Sequence, residues 1–211
     1  MTMNDTPITI IGAGGHAHSI IDILRTPVAG YVAPQPSPQM PYTYLGDDAQ
    51  YIATHLPTPQ NPIHIAIISR ADCSMQMRRQ LLQQYSRYSR PAIIADTAVI
   101  ADTAVIAQGC AILHLAYIGP GSVIAQDSII NTRATIEHNV TIGTNTFVAP
   151  GAIICGGVHI GDNCYIGAGT IVRNNVTIGD NITTGIGTIV YKDLTQEGTY
   201  IGNPVHPYIR K

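Results

Sequence analysis

The chain has 211 residues, 45% of them hydrophobic and only 11% charged, with a formal net charge of -2 and no tryptophan. Near-neutral charge removes the electrostatic basis for binding nucleic acid or an anionic membrane surface. The length allows one large domain or two small ones, and so small a charged fraction points to a surface partly covered in an oligomer.

The first element in chain order is a short apolar strand from Ile8 to Ile11, broken by Gly12-Ala13-Gly14-Gly15-His16 before an amphipathic helix that reaches Leu24. A second strand spans Val28 to Val32. The prolines between Pro34 and Pro41 then forbid regular structure. Ile63 to Ile68 reads as a strand buried on both faces, and Asp72 to Tyr88 as a helix with an acidic residue near its start. This order predicts an α/β, Rossmann-like N-terminal domain over residues 1–90, and Arg90-Pro91 marks its end because the residue before proline leaves helical geometry.

Gly12, Gly14 and Ala17 satisfy a dinucleotide-type G-x-G-x-x-A pattern, and a loop of this kind can present free N–H groups to phosphate at a helix N-terminus. A nicotinamide cofactor also requires an acidic side chain roughly 20 residues further on. Between Asp22 and Asp47 there is none. Phosphate or pyrophosphate binding survives that objection, as does a plain packing turn in which His16 caps the helix.

From Ile94 to Val190 every sixth residue is Ile or Val, and Thr184 alone breaks the series. A period of six is neither helical nor that of a flat sheet; it suits a chain that turns a corner after each short strand. It is the hexapeptide signature of a left-handed parallel β-helix, an all-β fold expected here over residues 91–192, with three hexads to each triangular coil. Residues 18 apart should then stack about 4.8 Å apart. Beyond it, 193–211 read as a polar turn and a C-terminal tail.

Within that register His138 points outwards near a corner, and Gly156-Gly157 stacks one coil later. The pair offers a base of near-neutral pKa beside a backbone N–H, which is what acyl transfer requires. The plain alternative is an exposed loop histidine beside a glycine turn. His114 and His159 fall on other parts of the coil, so no three histidines converge on zinc and no metal is expected. Cys73, Cys110, Cys155 and Cys164 form no CxxC pair and read as small buried side chains. The chain shows no charged, apolar and small-residue leader and no apolar run of membrane-span length; the expectation is a soluble cytoplasmic protein.

Ile10-Ile11-Gly12-Ala13-Gly14-Gly15-His16, Ile130-Asn131-Thr132, Ile136-Glu137-His138 and Gly202-Asn203-Pro204 together resemble the nucleotide-sugar acetyltransferases of the bacillosamine N-acetyltransferase and sialic acid O-acetyltransferase family. The resemblance covers nearly the whole chain. It implies a homotrimer with active sites between subunits, an N-terminal domain that holds a nucleotide sugar through Gly12, Gly14, Gly15 and His16, and acetyl-CoA as co-substrate in the groove between β-helices. It also implies a catalytic stretch Glu137-His138-Asn139 with His138 as general base. Asn131 and Thr132 would lie near the acceptor sugar, Gly156 and Gly157 at the thioester, and Ala168 and Ile186 along the pantetheine arm. The family usually follows the histidine with an acidic residue, and here it is Asn139. A second histidine nine residues downstream in some members is Phe147 here, and the acidic residue that commonly meets the nucleotide base is missing around Ala33-Pro34.

The expected reaction is acetyl transfer to the amine of a nucleotide-linked, UDP-type 4-amino-4,6-dideoxy sugar. O-acetylation of a sialic acid type sugar, and a non-catalytic trimer that binds sugar nucleotides, are the alternatives.

Overall fold

The structure, a computed structural model, describes residues 6–68 and 75–208. Its N-terminal unit contains β1 (Ile8–Ile11), α1 (Gly15–Ile23), β2 (Val28–Val32), α2 (Asp48–Thr54), β3 (Ile63–Ile65) and α3 (Gln76–Gln84). The strands form one parallel sheet in the order β2-β1-β3. Its alternating residues feed two cores: Ile8, Ile10 and Tyr31 pack with α1, whereas Ile11, Val32, Ile63 and Ile65 pack with Tyr51, Leu81 and Tyr85 of the α2 and α3 regions.

Two elements differ from the expectation. α2 occupies a stretch for which no element is predicted, yet Asp47 and Gln50 form a reciprocal capping box there, each side chain bonding the other's backbone N–H. β3 stops at Ile65, three residues early, where β1 also ends; one last bond, from Ala66 N–H to the Ile11 carbonyl at 2.8 Å, closes the pairing. The start of the expected Asp72–Tyr88 helix, and Cys73, lie outside the described residues.

From Ile93 onwards short strands build three parallel sheets, the stacked-coil architecture expected of a left-handed β-helix. Paired residues are 18 apart throughout the hexad series, as in Ile130 with Val148 and Ile136 with Ile154. Face 1 contains Ile93–Ile94, Ala111–Ile112, Ile129–Ile130, Phe147–Val148, Tyr165–Ile166 and Ile182–Thr184. Face 2 runs from Val99–Ile100 to Ile189–Val190 and face 3 from Val105–Ile106 to Thr177–Ile178. One strand from each face makes a coil: Ile129 to Ile142 forms coil 3 and Phe147 to Ile160 forms coil 4.

The sixth-position residues from Ile112 to Ile178 fill the interior as one continuous apolar stack, each full burial contributing about 1.5–3 kcal/mol. Ile94 is the exception at the open lower end, where no coil lies beneath it and it stays 39% exposed. Thr184 is tolerated in the series because its buried hydroxyl is satisfied by the Gly167 N–H and the Thr170 hydroxyl, each at 3.0 Å. The expected tail instead continues the solenoid. Gly198–Ile201 adds to face 1 beside Ile182–Thr184, and His206–Pro207 folds back against it.

The N-terminal unit straddles face 1. Ile93, Ala111, Ile129 and Phe147 point outwards from that face into the core shared with Ile10, Ile20 and Ile23. α1 follows the edge between faces 1 and 2, where Asp22 meets His114 and Arg25 meets Asp96. On the edge between faces 3 and 1, Arg78 bonds Asn145 and Arg90 pairs with Asp127.

Candidate active site

His138 and Gly156 occupy the edge between faces 2 and 3, on coils 3 and 4. They touch: a β-carbon at Gly156 would lie 2.5 Å from both Cε1 and Nε2 of His138. Glycine is therefore required to admit the ring. Among the described residues no backbone acceptor takes the Gly156 N–H, although its carbonyl accepts from Asn175 N–H and Gly157 N–H bonds the His138 carbonyl. The notch thus combines an exposed imidazole with an open N–H donor, as the register predicts.

The other ring nitrogen, Nδ1, is 3.0 Å from Asn139 Nδ2. Asn139 has φ +56, a left-handed conformation that asparagine tolerates, and its amide lies over Gly121, whose β-carbon would meet Oδ1 at 2.6 Å. An amide can present either of two groups to Nδ1. If its NH2 faces the ring, the neutral imidazole keeps its proton on Nε2; rotated by half a turn, its oxygen holds the proton on Nδ1 and leaves Nε2 free as a base. Glu137 is half-buried at the head of this corner, and the Ser122 hydroxyl donates to its carbonyl at 2.6 Å.

Asn131, Thr132, Ala168 and Ile186 are on a different edge, between faces 1 and 2. Thr132, Ala168 and Ile186 differ by multiples of 18 and form one column with His114 at its lower end. Asn131 turns its side-chain oxygen to Thr132 N–H at 2.7 Å. Above Arg133 the column's left-handed positions are Gly151, Gly169 and Gly187, and a β-carbon at any of them would meet nothing within 4 Å. That edge is a smooth, side-chain-poor rim parallel to the coil axis, beside Ile186, which is 87% exposed.

The glycine loop lies at the same height. α1 meets His114 of coil 2 through Asp22, and Arg25, just past its end, meets Asp96 one coil lower, so the helix runs along the coil axis, where two coils of about 4.8 Å correspond to roughly six or seven helical residues. Seven residues further back, Gly15 reaches coil 4, and the ring of His16 meets Phe147 of that coil edge-on at 6.4 Å between centroids. The N-cap Gly14 supplies no side-chain bond, so the first N–H groups of α1 are left for another acceptor, and β-carbons at Gly14 and Gly15 would meet nothing within 4 Å. Gly12 is closely packed, with φ +123 and its α-carbon against Ile67 and Ala66.

His16, His64 and Arg78, which no sequence motif groups together, share the junction behind the loop. Burial and then the Arg78 charge lower the His16 pKa to about 4, and the same two causes push the wholly buried His64 well below the usual range. Burial raises the Cys110 and Cys164 thiols to about 11 and about 12, which makes them packing residues. Half-buried Cys155 is raised by burial and by Glu137. Among the described residues no three His, Cys, Asp or Glu side chains converge as a metal site, and no helix is long and apolar enough to cross a membrane.

Stacked hexapeptide coils with an exposed histidine ring against a glycine are the features on which the chain can be compared with known proteins. No protein-family model and no curated protein matches the sequence. Solved structures do. The acetyltransferase domain of PglB from Neisseria gonorrhoeae FA1090 is 25% identical, covers 96% of this chain and 100% of that chain, and superposes with a TM-score of 0.87. PerB from Caulobacter crescentus, solved with CoA and GDP-perosamine, is 27% identical over 96% of this chain and 97% of that chain, with a TM-score of 0.83. WeeI from Acinetobacter baumannii AYE, at 19% identity and TM-score 0.64 over 96% of this chain and 99% of that chain, shares the fold. Over nearly its whole length the chain is therefore similar to the hexapeptide-repeat nucleotide-sugar N-acetyltransferases, the family that its motifs resemble.

Proposed function

We propose that this protein is an acetyl-CoA-dependent N-acetyltransferase acting on the amine of a nucleotide-linked amino sugar. The observation that carries the reading is the His138 ring seated on Gly156, with Asn139 on its second nitrogen. In the reaction, His138 Nε2 takes the proton from the amine as its nitrogen bonds the thioester carbonyl carbon. Gly156 N–H donates to the carbonyl oxygen as that oxygen gains charge. His138 then returns the proton to the departing thiol. A neutral amine is already nucleophilic, so it suits a base supported by an amide better than a hydroxyl would, which ranks O-acetylation second.

The residues present fit an extended thioester: a free N–H at Gly156 for its carbonyl, and a bare glycine edge beside Ala168 and Ile186 for a linear arm. We assign the N-terminal unit, residues 1–90, as a Rossmann-like domain whose loop of Gly14, Gly15 and His16 receives the phosphates, with residues 91–192 as the acyltransferase β-helix. Asn131 and Thr132 face the acceptor sugar on this reading.

One chain does not assemble that site. The loop, Asn131 and the glycine edge gather where faces 1 and 2 meet, while His138 and Gly156 are at the far end of face 2, opposite the face that the N-terminal unit covers. The loop, Asn131, His138 and Gly156 lie at the height of coils 3 and 4, and the glycine edge rises from there, so the edge of one copy completes the edge of the next when copies pack side by side. Such a contact joins unlike surfaces and closes as a ring, here a homotrimer. Face 2 offers the apolar surface for it, with Val99 60%, Ile153 38% and Ile171 39% exposed.

The test combines acetyl-CoA with UDP-, GDP-, dTDP- and CMP-linked amino sugars and measures thiol release. Wild-type protein should turn over at least one of them, and His138→Ala should keep assembly and CoA binding yet lose about 100-fold or more in turnover. Hydroxy-sugar substrates alone would indicate O-acetylation, binding without thiol release a carrier, and full activity of His138→Ala a different base.

A further inference from the structure

Behind the glycine loop the described residues bury two guanidiniums and one carboxylate. Arg78 is 1% exposed, Arg90 8% and Asp127 5%. Asp127 is committed to Arg90, through contacts of 2.8 and 3.4 Å. Among the described residues Arg78 has only neutral acceptors, Asn145 Oδ1 at 2.9 Å and the Ile65 carbonyl at 3.5 Å, and its Nε has no partner. Among the described residues, two guanidiniums therefore share one carboxylate. The thiol of Cys110 is neutral, as are His16 and His64, whose pKa values burial and Arg78 depress. His16 Nε2 and both ring nitrogens of His64 are buried without a partner as well. A buried charge in this state opposes folding, and apolar replacements of such groups are often neutral or stabilising.

The location explains what the charge faces. Ile65, whose carbonyl Arg78 meets, ends β3 beside Ile11, the last residue of β1 before the glycine loop. Arg78 thus sits at the carboxyl ends of the central strands, under the N-terminus of α1, where the free N–H groups and the open space at Gly14 and Gly15 already favour an anion. We propose that Arg78 is a positioning residue for the substrate, its buried charge, which no carboxylate of the described residues pairs, serving as the counter-charge to a nucleoside diphosphate at the glycine loop. It acts through the loop and His16, without touching the reacting atoms. Asn145 fixes it to the corner that leads into coil 4, the coil that holds Gly156, so the same side chain ties the height of the loop to that of the acyl site.

This inference rests on the reading of the loop as a diphosphate site, and the experiment separates the two. UDP, GDP and inorganic pyrophosphate are titrated calorimetrically into wild-type protein, Arg78→Met and Arg78→Lys, with acetyl-CoA titrated in parallel. Arg78→Met should melt at or above the wild-type temperature, bind acetyl-CoA normally, and bind the nucleoside diphosphate about 10-fold or more weakly, the order expected for a lost charge interaction in a site of low dielectric. Arg78→Lys keeps the charge and should stay within about threefold of wild type. Unchanged diphosphate affinity in the Met variant overturns the role of Arg78 alone, and so does a loss in the Lys variant as large as in Met. Absence of any diphosphate binding by wild-type protein overturns the loop reading, and the inference with it.

Discussion

Replacing Gly156 with alanine tests the geometry of the notch more directly than removing the histidine does. The added methyl carbon would lie 2.5 Å from His138 Cε1 and Nε2, about 0.9 Å inside the 3.4 Å at which ordinary contact begins. The glycine has no left-handed backbone angle, so alanine brings no conformational strain, and the ring is exposed and free to swing away. Stability should change little: the contact at risk is one exposed bond from Asn139 to Nδ1, worth at most about 1 kcal/mol, or roughly 2–4 °C in a chain of this size. Catalysis should change much more, because displacing a catalytic group by about 1 Å costs on the order of 100-fold, equivalent to about 2.7 kcal/mol. Thiol release from acetyl-CoA and thermal melting, measured on the same preparation, give both quantities. Turnover within about threefold of wild type would show that the ring need not sit on residue 156. A melting temperature lower by much more than about 4 °C would show instead that the glycine holds the coil together.

Asn139→Asp should raise the pKa of His138 by adding a carboxylate at Nδ1, moving the acid limb of the pH–turnover profile to higher pH without a lower plateau; an unmoved limb would separate residue 139 from the base. His16 and His64 have folded pKa values below the ordinary 6.5, so the stability they contribute is present above that pH and is lost as the pH falls, through about 4 for His16. For His16 the shift corresponds to on the order of 3 kcal/mol, and His64→Leu should flatten the decline in denaturant midpoint between pH 7 and pH 4.5; an unchanged slope would place the acid sensitivity elsewhere. Ile171→Glu puts a charge on the exposed apolar face 2 and should leave a folded monomer in sedimentation velocity at micromolar concentration, and an unshifted sedimentation coefficient would mean that face 2 is not the contact.

The hexad register makes the solenoid legible because a period of six admits few geometries, and counting in eighteens is enough to place Gly156 against His138. The same arithmetic separates Ala168 and Ile186 from them, since those two fall on another edge. Where the period slips, legibility ends. Ile182 pairs with Gly198, only 16 residues on, so the last strand of face 1 reads as a tail. α2 carries a readable signal in Asp47-x-x-Gln50, but its seven residues lie behind a run of prolines and bury only Tyr51. Arg78 has no local signal at all. Its partner Asn145 is 67 residues away, and a guanidinium in the first turn of a polar helix looks solvent-exposed until β3 and coil 4 close around it.

The three edges of the coil also show why this chain can depart from the usual acidic residue at position 139. In coils 2 to 5 each edge has one left-handed position per coil, which glycine occupies freely and which costs most other residues about 1–2 kcal/mol. Between faces 3 and 1 that column is Gly109, Asp127, Asn145, Asn163 and Asn181, and its lower part anchors Arg90 and Arg78. Between faces 1 and 2 it ends in three bare glycines. Between faces 2 and 3 glycine and asparagine alternate, as Gly121, Asn139, Gly157 and Asn175, and the Asn139 amide lies in the space that Gly121 leaves. The residue at 139 must therefore satisfy two demands at once: a side chain short and polar enough for a left-handed turn, and an atom that can hold the Nδ1 proton of His138. Asparagine meets the first as well as aspartate does and the second through its oxygen. What it gives up is the negative charge, which matters less for a base that takes its proton from a nitrogen already committed to attack.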